Sequence, residues 1–78
     1  MSEQEIFEVI KALIQKSMPQ AKDITMETRI MKDLGADSID MLDIVTEVER
    51  KFKIEMTDEE VLNVVTMSDA VKVVKKYL

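Results

Sequence analysis

Apolar residues recur at helical spacing along three stretches of this 78-residue chain, and nowhere do they alternate with polar ones for long enough to make a strand. Near the N-terminus the stripe is Ile6, Phe7, Ile10, Leu13 and Ile14, introduced by a capping box of Ser2 with Glu5 and stopped by Pro19. A second stripe gathers Met41, Ile44, Val45, Val48 and Phe52 within an arc of about 100° on a helical wheel, the width of a core-facing side. A third runs through Val71, Val74 and Leu78. These patterns predict helices over residues 3–17, from Ser38 to about Lys51, and from Ser68, taken as an N-cap, to the C-terminus. Thr57 with Glu60 makes another capping box before "DEEVLN", which is long enough for one or two turns. The expected fold is all-α: a four-helix bundle of three longer helices and one short third helix, forming a single domain over residues 1–78. Residues 18–37 show no sustained period and predict a long loop between the first two helices, pinned by Ile24, Ile30 and Leu34. Loops of that length in compact domains carry function or hide a short internal turn.

Size and composition restrict the chemistry. A domain this small buries only about 60% of its unfolded surface, which leaves little room for a deep substrate pocket. The chain has no Cys and no His, so disulfides, thiolate metal sites, thiol catalysis, the usual general base and the commonest metal ligand are all missing. Apolar residues at 46% support a core and charged residues at 35% keep it soluble. No apolar run is long enough to span a bilayer, and "MSEQEIFEV" lacks the basic and apolar regions of a signal peptide. The expectation is a monomeric cytoplasmic protein without stable membrane insertion, with a mature plastid or mitochondrial form left open. Seven Met residues predict a core that repacks readily, because unbranched Met changes rotamer at low cost.

The net charge of −5 is concentrated in one place. Asp33, Asp37, Asp40, Asp43, Glu47 and Glu49 stand within seventeen residues that contain no base. Such a field repels nucleic acid and steers basic protein partners. Two readings stand at this point, a docking face and a merely solvated one. Ile39 projects from the acidic side of the predicted helix, on the side opposite the apolar stripe, as a docking anchor with a charged rim would.

Within this acidic stretch lies Ser38, three residues after the only glycine. A nucleophile elbow needs flanking glycines and a His, a calcium loop needs its glycine among the ligands, and a phosphate loop needs several glycines and a Lys; "LGADSID" has none of these. With Asp37 as N-cap, Ser38 takes the first helical position and Asp40 the third. A hydroxyl there is either an ordinary helix-start residue or a modification site, where an attached phosphodiester would meet the positive helix end.

The run "DLGADSIDMLDIVTEVERKF" resembles the signature of acyl carrier proteins, and the likeness extends over the whole chain, from the helix ending near Lys16 through the long loop to "IEMTDEEV" and "VTMSDAV". The resemblance implies a carrier rather than an enzyme, with 4′-phosphopantetheine from coenzyme A attached to Ser38 by a holo-acyl-carrier-protein synthase. It implies docking of fatty-acid synthesis enzymes, through basic patches, on Asp37, Ile39, Asp40, Asp43, Thr46, Glu47 and Met56. It further implies shelter for the acyl chain among Met41, Ile44, Val45 and Val48, with Met31 and Met67 nearby. Specialised polyketide or peptidyl carriers share this fold, and an unmodified acidic interaction module would need no reactive Ser38. The chain departs from the family pattern at Ile39 for the usual Leu, at Thr46 for a frequent Met, at Arg50 and Lys51 where acids are common, and in lacking a proline before "TDEE".

Overall fold

Side-chain caps start four of the five helices in the computed structural model, which describes residues 1–78. Ser2 opens α1 (Glu3–Ser17); α2 (Ile30–Leu34) begins at Arg29 without a cap; Asp37 opens α3 (Ser38–Phe52), Thr57 opens α4 (Asp58–Asn63) and Thr66 opens α5 (Met67–Tyr77). In each capped case the cap oxygen accepts the backbone N–H three residues on, and the acid there accepts the cap's own N–H. These reciprocal pairs satisfy backbone donors that the first helical turn leaves free.

α1 is the centre of the bundle, with Ile6, Ile10 and Ile14 fully buried, and it packs against both α3 and α5. α3 turns Met41, Ile44 and Val48 into the same core, with Val45 and Phe52 half-buried beside them, and α5 contributes Met67, Val71 and Val74. The all-helical bundle expected from periodicity is therefore present, and no helix is long and apolar enough to cross a membrane.

Two details differ from expectation. The long loop contains α2, one helical turn made by an apolar Ile30 that plugs into the core and by Arg29, which donates from its backbone N–H and guanidinium to Asp33. Gly35 ends that turn at φ +77°, a left-handed conformation that glycine adopts without a Cβ clash. The last helix, in turn, is capped by Thr66 and not by Ser68. Asp69 accepts from the N–H groups of Val65 and Thr66, while the N–H of Ser68 is already committed to the Met26 carbonyl and that of Met67 to the Thr28 carbonyl. An antiparallel bridge between Arg29 and Thr66 thus ties the loop to the start of α5 and moves the cap two residues upstream.

The capping acids make the fold sensitive to acid. Lys76 and Tyr77, with the Thr57 N–H, hold the Glu60 carboxyl down to about 2, from an ordinary 4.5. N–H groups of Thr66 and Val65 lower Asp69, Arg29 lowers Asp33, and Ser2 lowers Glu5. A carboxylate whose folded pKa is depressed adds stability above its unfolded value and loses it as pH falls through the folded one. Urea unfolding at stepped pH is expected to show stability level above about pH 4.5 and falling toward pH 2, with Glu60→Gln flattening the decline.

Candidate functional site

Because Asp37 and Asp40 complete each other's caps at 2.8 and 3.1 Å, the Ser38 hydroxyl at the first position of α3 is left without a hydrogen-bond partner. Ser38 is exposed, and its backbone N–H and that of Ile39 find no protein acceptor. A hydroxyl with no aligned base is inert by itself and accessible to the active site of another enzyme. The two free N–H groups at the positive end of α3 favour a phosphate ester at that oxygen.

Ser38 stands at the edge of an open groove of about 340 Å³ whose other walls are apolar: Met31, Met41, Leu42, Val61, Leu62 and Val64. Adjoining it is a small, partly open apolar cavity of about 20 Å³ among the helices. Met41, Ile44, Val45 and Val48, the four residues singled out from the sequence, all line this cavity, facing Ile10 and Val74. Met41 and Val64 belong to both spaces, so the groove and the cavity are separated only by shared side chains. Such a volume holds at most one water, and an apolar lining keeps it dry. By the usual dependence on cavity volume its destabilising cost is about 0.5 kcal/mol.

Of the two Met residues expected near the cavity, Met31 lies on the outer groove, and Met67 is fully buried elsewhere in the core. Met56 takes the place in the wall instead. The half-buried Met56, an expected docking residue, also lines an outer groove with Leu42, Thr46 and Glu49, and its N–H donates to the Glu49 carboxylate at 2.7 Å. The turn before α4 is thereby folded back onto α3.

The remaining face residues are on the surface. Ile39 is 68% exposed, and Asp43 is exposed without an ion-pair partner. Thr46 is exposed and donates its hydroxyl to the Leu42 carbonyl at 2.8 Å, while Glu47 holds Arg50 at 3.0 Å. Asp37 and Asp40 keep their charges toward solvent but each gives one oxygen to the cap.

Sequence reasoning missed Leu42 and Leu62, 61% and 82% exposed, which extend the apolar surface beside Ser38 from α3 onto α4. Leu42 could have been found as the one large apolar residue of α3 outside the wheel stripe besides Ile39. No periodic signal assigns a side to Leu62, because α4 has only six residues.

A family model described as a phosphopantetheine attachment site matches residues 8–74. The acyl carrier protein of Lactobacillus acidophilus is 42% identical to this chain over 78 residues, covering 99% of it and 98% of its own length. That of onion yellows phytoplasma is 43% identical over 72 residues, 91% of this chain and 95% of its own. The solved acyl carrier protein of Enterococcus faecalis superposes with a TM-score of 0.80 at 27% identity, over 97% of this chain and 98% of its own.

Proposed function

The chain belongs to the acyl carrier protein family, and we propose that Ser38 is the residue on which it carries 4′-phosphopantetheine. Membership makes it a phosphopantetheine-bearing acyl carrier of fatty-acid synthesis. The observation that supports Ser38 is its unpartnered hydroxyl at the start of α3, on the edge of an apolar groove that backs onto the cavity. The arm ends in a thiol that holds acyl groups as thioesters, which supplies the sulfur that a chain without cysteine lacks.

In the attachment reaction the Ser38 oxygen bonds to the phosphorus of the arm, the pyrophosphate bond of coenzyme A breaks, and the nucleotide bisphosphate leaves. The serine proton goes to a base of the holo-synthase, since no residue of this chain hydrogen-bonds the hydroxyl. The chain itself positions and presents; it catalyses no step. A cytoplasmic setting, shared with the synthase and the fatty-acid enzymes, fits a chain with no membrane-spanning helix. One phosphopantetheine mass gained on incubation with coenzyme A and a holo-synthase tests the assignment.

Docking in this reading combines steering by acids with an apolar centre made of Ile39, Leu42 and Leu62. Asp43 is the free acid of the face, whereas Glu47 is shared with Arg50. Asp43→Lys is expected to lower the association rate with the holo-synthase roughly 3- to 10-fold at low salt, and the deficit shrinks as salt screens the field. Arg50→Ala frees Glu47 and is expected to speed association. Leu42→Ala acts through the off-rate instead. Stopped-flow binding across a salt series checks all three, and equal rates for Asp43→Lys and the parent would leave the acidic face as solvated surface.

A further inference from the structure

α4 is the least anchored of the helices. None of its six residues is buried, and it packs closely on no other helix. Glu60 supplies the missing attachment. One carboxylate oxygen accepts from the Thr57 N–H at 2.9 Å and from the Tyr77 hydroxyl, and the other accepts from the Lys76 ammonium at 2.6 Å. A single side chain therefore closes the cap of α4 and clamps that helix to the far end of α5, sixteen and seventeen residues along the chain.

What α4 covers gives the clamp its meaning. Val61 and Leu62 stand on both outer grooves, the one beside Ser38 and a second one against Leu42, Thr46 and Glu49. The flanking residues Met56 and Val64 are walls of the interior cavity. α4 is thus bracketed by two residues of the cavity wall, Met56 before it and its C-cap Val64, which is also shared with the Ser38 groove, and it is held less by packing than by one ionised carboxylate.

We infer that Glu60 is a latch: tied to Lys76 and Tyr77 it holds α4, and with it the wall residues Met56 and Val64, in place, and when the tie is released α4 moves away and carries Val64 from between the cavity and the Ser38 groove. The latch concerns the position of α4 itself; its use for admitting an acyl chain rests on the reading that the cavity shelters that chain. Glu60 remains ionised through the neutral range, so the latch is closed at rest there.

The double variant Lys76→Met, Tyr77→Phe removes the latch while leaving Glu60 free to complete its own capping box with Thr57. Native-state amide exchange on the apo protein is expected to be roughly tenfold faster at Val61, Leu62 and Val64 in this variant, the size of a lost charged hydrogen bond, with Ile10, Val48 and Val71 unchanged. Equal exchange of the α4 amides in both proteins, whether both slow or both free, overturns the latch. So does an equal acceleration in all helices, which makes the cluster a general stabiliser. Glu60→Gln, which keeps a capping oxygen but loses the charge, is expected to fall between the two.

The second measurement is cleavage of the thioester by hydroxylamine in the acylated holo protein. Octanoyl is expected to be cleaved more slowly than acetyl in the parent, and the difference is expected to shrink in the double variant. If octanoyl and acetyl are cleaved alike in the parent, the sheltering of the chain fails while the exchange result still decides the latch. If octanoyl is protected equally in parent and variant, the latch does not govern access.

Discussion

Ser38→Ala is expected to abolish the gain of one phosphopantetheine mass that the parent shows on incubation with coenzyme A and a holo-synthase. The effect is all or none because the substitution removes the oxygen that forms the phosphate ester, and the other serines lie elsewhere: Ser2 is the cap of α1, Ser17 ends α1, and Ser68 lies in the first turn of α5, half-buried. Folding is expected to survive. The Ser38 side chain makes no hydrogen bond, and Ala at the first helical position loses little, so the circular dichroism and melting temperature of the variant should match the parent. Mass gain in the alanine variant would move the attachment site elsewhere, and loss of the fold together with the mass gain would call for Ser38→Thr or Ser38→Cys as the discriminating variants.

Acylation of the holo protein is expected to raise its melting temperature with chain length from four to eight carbons and to level off before twelve. The empty cavity is about 20 Å³, far too small for a chain, so the walls must move apart as the chain enters. Each methylene taken out of water is worth roughly 0.8 kcal/mol, and displacement of close-packed walls offsets part of it. A net gain of about 1–2 kcal/mol between four and eight carbons corresponds to roughly 5–15 °C for a domain of this size. The plateau follows from geometry. The α3 residues that line the cavity reach from Met41 to Val48, about 10 Å at the helical rise, which bounds the length of chain they can cover. A melting temperature indifferent to chain length would place the acyl group on the surface, along Leu42 and Leu62.

The parts of this protein legible in its sequence are those decided within about four residues. Capping boxes at Ser2, Asp37 and Thr57 reach three residues, helical stripes repeat every three or four, and so the three longer helices, the position of Ser38 at the start of α3 and the inward set Met41, Ile44, Val45 and Val48 all follow from local pattern. The acidic face is equally local, because charges at helical spacing share a side whatever lies beneath them. Tertiary structure decided the rest. The cap of α5 fell to Thr66 because the bridge to Arg29, with the Met67 and Ser68 N–H groups bound to the Thr28 and Met26 carbonyls, lets the helix begin two residues earlier than a Ser68 cap would. Met56 came to line both the cavity and an outer groove, with its N–H held by Glu49 from seven residues away. Leu62 became an exposed neighbour of Ser38, and Glu60 a tie to Lys76 and Tyr77, in a helix too short for a periodic signal to assign a side. In each case the partner lies beyond the reach of a helical turn, and the contact exists only once the hydrophobic core has brought the two segments together.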